Sequence, residues 1–173
     1  MGKLPGVSLI SMNALSWAAN TKNTSTAMNR GGRDSVIEIT QVWERLFLGG
    51  RYDAERLYRL NPHGITSVVS ICEDAVLRRN PRIAYVHIAV ADATPMSVGK
   101  FDAIIDAIAG NIRWGRLLVN CGAGVSRTPI MVAAWMHVVG YKNIDAALVE
   151  IRKLRPMVSP SPILLKSIKE HLR

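Results

Sequence analysis

One short stretch constrains this chain more than any other. An apolar run, Leu117–Val119, leads through a glycine-containing loop into a long apolar run that begins near Pro129. A buried strand, a tight loop and a helix fit this order. Such an arrangement directs several backbone N–H groups and the positive end of a helix at one place, where an anion is stabilised. The stretch therefore predicts an α/β fold with an anion-binding loop at the carboxyl end of a parallel strand.

The loop carries one cysteine and one arginine, Cys121 and Arg127, with five residues between them. A thiolate beside a helix N-terminus and a cation is a nucleophile near neutral pH. Arginine offers a planar, permanently charged fork that binds two phosphate oxygens at once. Gly122 and Gly124 allow unusual backbone dihedrals and a close approach to a ligand. We therefore expect a cysteine nucleophile that faces a bound phosphate group.

The pattern Cys-x5-Arg, followed by Thr-Pro where a helix begins, resembles the active-site loop of the cysteine-dependent protein tyrosine phosphatases. Their small dual-specificity branch is the nearest match, and Leu46–Gly50 is similar to the strand that leads into a glycine in that branch. The resemblance implies hydrolysis of phosphate monoesters through a phosphocysteine on Cys121, with no metal and no other cofactor. It also implies a set of loop residues that bind the substrate phosphate. These residues are Gly122, Ala123, Gly124, Val125, Ser126 and Arg127.

Cleavage of a phosphate ester also needs a proton donor for the leaving oxygen, and Asp92 is the candidate. It lies 29 positions before Cys121, and the family places its general acid at a similar distance. The resemblance implies that Asp92 protonates the leaving group and then acts as a base, while Ser126 stabilises the released thiolate. The alternative interpretation of Asp92 is an aspartate that only forms a turn. In that case Glu73 and Asp74 are the other candidates for the general acid.

Three further positions belong to the predicted site. The family usually has a histidine before the nucleophile, whereas this chain has Asn120. An amide can hydrogen-bond the loop but cannot carry positive charge, so we expect an activity optimum displaced to higher pH. We expect Asn120 and Thr128 to support the loop. Cys72 resembles the second cysteine of some related phosphatases and is a possible redox partner of Cys121, with a small apolar core residue as the alternative.

Strand-like and helix-like segments alternate along the rest of the chain. Alternating or β-branched patterns predict strands at 36–40, 45–50, 65–71, 85–90 and 117–119. Helical patterns with capping residues Asp53, Ser97 and Ser161 predict helices at 54–60, 97–112, 130–139, 145–154 and 161–172. The expected fold is a three-layer α/β sandwich, with a central mostly parallel sheet flanked by helices. We expect the segment 155–161 to buttress the reactive loop.

The first residues differ in composition from the rest. Residues 1–33 contain no acidic residue, four basic ones and many Ser, Thr and Asn. We therefore divide the chain into an N-terminal arm, residues 1–35, and a phosphatase domain, residues 36–173. The arm is predicted to be flexible or to dock, and its apolar residues could pair two copies into a homodimer. The same composition is typical of an organellar transit peptide, so a cytoplasmic location is expected, with an organelle as the alternative.

Charge and composition narrow the classes of partner. The net charge of +9 favours attraction to anions. Because the basic residues are scattered along the sequence, we expect phosphoprotein substrates and do not expect nucleic acid. An apolar content of 49% excludes a disordered chain, and no apolar run approaches the roughly 20 residues of a membrane-spanning helix. Two cysteines suit a reducing compartment, and the four histidines lack the spacing of metal ligands.

The substrate class is the least constrained part of this interpretation. The loop interior has no lysine, unlike the phosphoinositide-directed relatives, and lacks the His and Asn of the RNA triphosphatase relatives. Phosphotyrosine and phosphoserine or phosphothreonine in proteins are therefore favoured over phosphoinositides and RNA 5′ ends. Two other classes stay open. One is a weakly active or inactive phosphopeptide-binding relative, and the other is a sulfur-transfer or arsenate-reducing enzyme, which would not need Asp92.

Overall fold

A computed structural model describes residues 38–173 of the chain. The elements, in order, are β1 (Thr40–Gln41), β2 (Leu46–Gly50), α1 (Arg51–Arg56), β3 (Ser67–Ser70), β4 (Ala84–His87), α2 (Val98–Ile112), β5 (Leu117–Cys121), α3 (Arg127–Val138), α4 (Ile144–Leu154) and α5 (Pro162–His171). The strands form one sheet in the order β1-β2-β5-β3-β4. β1 is antiparallel to β2, and the other pairs are parallel. The predicted α/β sandwich around a mostly parallel sheet is confirmed.

The strand that precedes the reactive loop lies at the centre of the sheet. β5 is flanked by β2 and β3, and all of its five residues are buried. A continuous apolar sequence is typical of a parallel strand that is covered on both faces. One core cluster joins the sheet to α2, α3, α4 and α5, and a smaller one joins the opposite face to α1. Cys121 therefore lies at the carboxyl end of the central strand, where ligands bind in folds of this class.

The helix that follows the loop is an interior helix, as its sequence predicts. Ten of the twelve residues of α3 are buried, from Arg127 to Met136. A helix that is apolar on all sides is stable only inside a protein. Gly140, with a φ of 79°, follows its last turn. Because the core fixes α3 on every side, the position of its N-terminus and of the loop before it is fixed as well.

Several predicted boundaries are wrong, and one error has a clear physical cause. Asp53 does not cap a helix that follows it, because α1 already begins at Arg51. Its buried carboxylate instead accepts the backbone N–H groups of Gly50 and Glu38, at 2.8 and 2.9 Å. Glu38 is therefore held by Asp53 and is not part of a strand, and β1 consists of Thr40–Gln41 alone. These two hydrogen bonds to the Asp53 carboxylate stabilise the turn between β2 and α1.

The predicted N-terminal arm, residues 1–35, lies outside the described residues, as do its suggested roles in targeting, docking and dimer formation. Those expectations stay predictions. Within residues 38–173, no helix has the length and apolar character that would let it cross a membrane.

Candidate active site

The reactive loop, residues 122–126, lies directly against the turn between β2 and α1. The backbone N–H of Arg51 donates to the carbonyl of Gly122 at 2.9 Å. Gly124 has a φ of 68°, in the left-handed region that favours glycine. A Cβ atom on Gly124 would lie 2.5 Å from the carbonyl oxygen of Gly49. The backbone at Gly124 therefore lies against the backbone of Gly49 and Gly50, and there is no room for a side chain between them.

The carbonyl groups of the loop all point away from its interior. Each of the five accepts a hydrogen bond from outside the loop. The donors, in order from residue 122 to residue 126, are Arg51 N, Arg155 Nη2, Arg155 Nε, Ser159 N and Ile130 N. In contrast, no N–H group of these five residues donates to an acceptor within the described part of the chain. With the carbonyls fixed outward, the N–H groups are available to bind an anion inside the loop.

Arg155 supports this arrangement from behind. It is buried and donates to the carbonyls of Ala123 and Gly124, at 3.3 and 3.1 Å. The same guanidinium donates to the carbonyl of Glu38 and to the hydroxyl of Thr40. The prediction that the segment after α4 buttresses the loop is therefore confirmed. A planar fork with several fixed donors suits this role better than a lysine would.

Cys121 and Arg127 lie at the two ends of the loop. Cys121 is the last residue of β5 and is 2% exposed. Arg127 is the first residue of α3 and is largely buried, and its Nη1 donates to the carbonyl of Val90 at 2.7 Å. A Cβ atom on Gly122 would lie 3.2 Å from Arg127 Nη2, so the guanidinium lies over the residue that follows the cysteine. The loop thus has a cation beside its N–H groups.

Two carboxylates face the guanidinium of Arg127. Asp92 Oδ2 lies 3.9 Å from Nη2, and Glu73 Oε1 lies 3.8 Å from Nη1. Glu73 Oε1 also accepts the backbone N–H of Asp92 at 3.3 Å. Asp74, the other predicted substitute for Asp92 as general acid, pairs with Arg51 at 2.9 Å, and both of these residues line the same cavity as Glu73 and Arg127. The structure therefore brings both substitutes to the site, and it brings Asp92 and Glu73 to Arg127.

A cavity of about 410 Å³ opens in front of these groups. Its lining residues are Arg51, Tyr52, Cys72, Glu73, Asp74, Gly122 and Arg127. Arg51 and Tyr52 were not predicted to belong to the site. The signal that could have found them is their position directly after Gly49-Gly50, since a strand that ends beside the loop places the next two residues at the same opening.

The hydroxyl groups near the loop differ in their partners. Ser126 Oγ accepts the backbone N–H of Ser161 at 3.0 Å, which leaves the hydroxyl hydrogen free to be donated. Thr128 is fully buried, and its hydroxyl has no hydrogen-bond partner among residues 38–173. In the same part of the chain, no group of three or more His, Cys, Asp or Glu side chains could hold a metal ion.

Asn120 connects β5 to β3 and not to the loop. Its Nδ2 donates to Ser70 Oγ and to Cys72 Sγ, both at 3.4 Å. Burial raises the pKa of the Cys72 thiol. A hydrogen bond with Ser70 and the charges of Arg127 and Arg51 lower this pKa in part, and Cys121 raises it. The net effect makes the Cys72 thiol a weaker acid than an ordinary cysteine.

These environments predict different reactivities for the two cysteines. At neutral pH, we expect iodoacetamide to modify Cys121 faster than Cys72, because burial raises the pKa of the Cys72 thiol, whereas Cys121 lies at the base of the loop beside its N–H groups and Arg127. Peptide mapping by mass spectrometry after limited alkylation measures the two rates. Faster modification of Cys72 would contradict this assignment, and added inorganic phosphate should protect Cys121 selectively.

Comparison with known proteins agrees with this geometry. Residues 46–173 match the sequence model of the family described as Dual specificity phosphatase, catalytic domain. The chain belongs to the dual specificity phosphatase family. Dual specificity protein phosphatase 15 of Rattus norvegicus is 30% identical over 134 residues, which cover 76% of this chain and 56% of that protein. Dual specificity protein phosphatase 14 of Homo sapiens is 30% identical over 125 residues, covering 71% and 63% of the two chains.

A solved structure of this family shares the fold. The crystal structure of DUSP15 superposes with a TM-score of 0.68 at 30% identity, over 76% of this chain and 85% of that one. The chain spans little more than half the length of the rat dual specificity phosphatase. These matches confirm the prediction, made from the reactive loop, that the chain is related to the small dual-specificity phosphatases.

Proposed function

We propose that this protein hydrolyses phosphate monoesters on proteins, on phosphotyrosine and on phosphoserine or phosphothreonine, through a phosphocysteine on Cys121. The observation that carries the proposal is the loop itself. Its five carbonyls are bound from outside, and its N–H groups have no acceptor in the described part of the chain. Together with Arg127, these N–H groups offer donors to the oxygens of one phosphate group. The sulfur of Cys121 lies at the base of the same loop.

The reaction has two steps. In the first, the Cys121 sulfur attacks phosphorus, the bond from phosphorus to the ester oxygen breaks, and Asp92 gives its proton to the leaving oxygen. In the second, water attacks phosphorus, the phosphorus–sulfur bond breaks, and Asp92 takes a proton from the water. The oxygen of the Ser126 hydroxyl already accepts the N–H of Ser161. Its hydrogen is therefore free to form a hydrogen bond with the released thiolate, which stabilises it.

Protein substrates are supported by two observations. The loop interior has no lysine that would add charge for a phosphoinositide headgroup. The relatives that match are named as protein phosphatases. The cytoplasmic location and the disulfide between Cys72 and Cys121 stay predictions. The disulfide is compatible with the position of Cys72, two residues after β3, which pairs with the strand that ends at Cys121.

The two carboxylates near Arg127 allow a matched test. We expect Asp92→Asn to lower kcat on a phosphotyrosine peptide by about 10²- to 10³-fold, as for loss of a general acid. Glu73→Gln removes a carboxylate at the same distance from Arg127 but should cost less than about fivefold, because Glu73 orients the Asp92 backbone and transfers no proton. The loss in Asp92→Asn should be smaller for p-nitrophenyl phosphate, whose leaving group needs less protonation.

Initial rates and pH–rate profiles of the two variants measure these effects. A greater loss in Glu73→Gln would transfer the acid role to Glu73. If the wild-type protein hydrolyses no phosphate ester between about pH 5 and 8 while it still binds phosphopeptides, the phosphopeptide-binding class is correct instead.

A further inference from the structure

We propose that the substrates of this protein carry acidic residues near the phosphorylated residue, and that an arginine-rich surface beside the cleft binds them. This inference rests on the proposed phosphatase function and adds a substrate class to it. The surface consists of α1 with the turn after it and of the loop that joins β3 to β4. We call it the arginine surface, and its four arginines are Arg59, Arg78, Arg79 and Arg82.

Hydrogen bonds and buried apolar contacts hold the two segments of the arginine surface together. The backbone N–H of Leu77 donates to Glu55 Oε1 at 3.4 Å, and Asn80 Nδ2 donates to the carbonyl of Leu57 at 3.1 Å. These bonds hold the β3–β4 loop against α1. Below them, Val76 and Ile83 pack in the same buried cluster as Leu57. The arginines of the loop and of the α1 turn are therefore held on one side of the molecule.

The charges of the four arginines are not neutralised by carboxylates of the described part of the chain, although Arg79 is held in place because its Nε donates to the carbonyl of Val76 at 3.0 Å and its guanidinium lies over the Tyr85 ring. All four are exposed, and none forms an ion pair with a carboxylate among residues 38–173. Two acidic residues of these segments, Glu55 and Asp74, lie instead 3.9 and 2.9 Å from Arg51. Positive charge on this side is therefore largely uncompensated. Arginines in such a setting bind carboxylates through charge-assisted hydrogen bonds.

The surface begins at the cleft and leads away from it. Arg51 lines the cleft and starts α1, whose six residues extend about 9 Å at a rise of 1.5 Å per residue. An extended peptide advances about 3.3 Å per residue. A peptide whose phosphate lies in the loop would therefore place side chains over the arginines at about three to five positions from the phosphorylated residue. Tyr52, Tyr58 and Leu77 are exposed along the same path and offer it apolar contacts.

A peptide fits this surface better than an anionic membrane does. Glu73 and Asp74, whose side chains are 64% and 81% exposed, lie at the cleft mouth between Arg127 and the arginines. A continuous layer of lipid phosphates would be repelled there, whereas a peptide carries its charges at separate positions. Aromatic residues anchor proteins at membrane interfaces. The exposed Trp114 follows α2 and precedes β5, so it is not part of the arginine surface.

The test compares two charge reversals. Arg78→Glu/Arg82→Glu changes the arginine surface, and the control Arg45→Glu/Arg113→Glu makes the same charge change with exposed arginines outside that surface. The substrates are two phosphotyrosine peptides with Glu or Gln at three to five positions on either side, and p-nitrophenyl phosphate. The measured quantities are kcat/KM and peptide affinity, at low and at high salt.

We expect wild-type protein to prefer the Glu peptide by about tenfold at low salt, and this preference should fall as salt screens it. The Arg78→Glu/Arg82→Glu variant should lose the preference and keep its rate on the Gln peptide and on p-nitrophenyl phosphate within about twofold. The control variant should keep the preference. Hydrolysis of p-nitrophenyl phosphate tests the proposed phosphatase function separately, and peptide affinity tests the surface even without turnover.

Three results would overturn the inference. Equal loss in the control variant would assign the preference to the net charge of the whole protein. Absence of any preference in the wild type would remove the substrate class. An unchanged peptide preference in Arg78→Glu/Arg82→Glu, together with lost binding to phosphatidylserine vesicles, would assign the arginine surface to a membrane.

Discussion

Replacing Cys121 by serine is expected to lower kcat on every phosphate ester by at least about 10⁴-fold, because a neutral hydroxyl replaces the attacking sulfur. Serine is close to cysteine in size, so the end of β5 should keep its packing. The loop N–H groups and Arg127 are unchanged in this variant. Affinity for a phosphopeptide should therefore stay within a few-fold of the wild-type value, while turnover disappears. Initial rates and calorimetric binding measure the two quantities.

Cys72→Ser is the matched control for this experiment. It makes the same atomic change at a buried thiol that follows the adjacent strand by two residues and lines the cavity beside the loop. We expect its kcat to stay within about fivefold of the wild-type value, because a neutral thiol does not attack phosphorus. Rapid quenching of wild-type protein during turnover of a ³²P-labelled substrate should yield acid-stable phosphoprotein, and Cys121→Ser should yield none. Similar losses in the two variants, or more than about 1% of activity left in Cys121→Ser, would contradict the assigned nucleophile.

The second large effect is expected from Gly124→Ala, which adds only one methyl group. The new Cβ would lie 2.5 Å from the carbonyl oxygen and 2.6 Å from the carbonyl carbon of Gly49, both backbone atoms of a buried strand. A left-handed φ also costs about 1–2 kcal/mol for a residue other than glycine. Adding the forced displacement of the loop, we expect a loss of about 3 kcal/mol in the free energy of unfolding. The displaced N–H groups should also cost about 10²-fold in kcat.

Gly110→Ala provides the control for this variant. Gly110 lies within α2, and its added Cβ would meet no other atom within 4 Å. Alanine should raise the free energy of unfolding by about 0.5–1 kcal/mol there, since glycine weakens a helix interior. Urea denaturation of both variants measures the two opposite shifts. A stable, fully active Gly124→Ala protein would contradict the contact between the loop and the end of β2.

The parts of the site that sequence predicted are those fixed by local patterns. The apolar run Leu117–Val119, just before Cys121, predicts a buried strand, and the longer run after Arg127 predicts an interior helix. Their order alone places both residues at one loop. Asp92 was placed by resemblance, and the structure brings its carboxylate to within 4 Å of Arg127.

The parts that sequence did not predict depend on contacts between distant segments. Asp53 has the features of a helix cap, and only the fold shows its carboxylate accepting N–H groups from Gly50 and Glu38. The basic residues are scattered along the sequence, yet packing of α1 against the β3–β4 loop brings Arg59 to the same side as Arg78 and Arg82. No periodic pattern in one segment contains such information. A pattern can therefore identify the nucleophile and still leave the surface beside it unassigned.

The supports of the reactive loop also determine when this protein becomes reactive during its synthesis. Two of the five loop carbonyls are held by Arg155 and one by Ser159, each more than thirty positions after the residue whose carbonyl it binds. A nascent chain that has emerged from the ribosome only as far as α3 has the thiol and Arg127 but lacks the groups that turn the amides inward. Affinity for orthovanadate should therefore arise abruptly once residues 155–159 have emerged, and not in proportion to chain length.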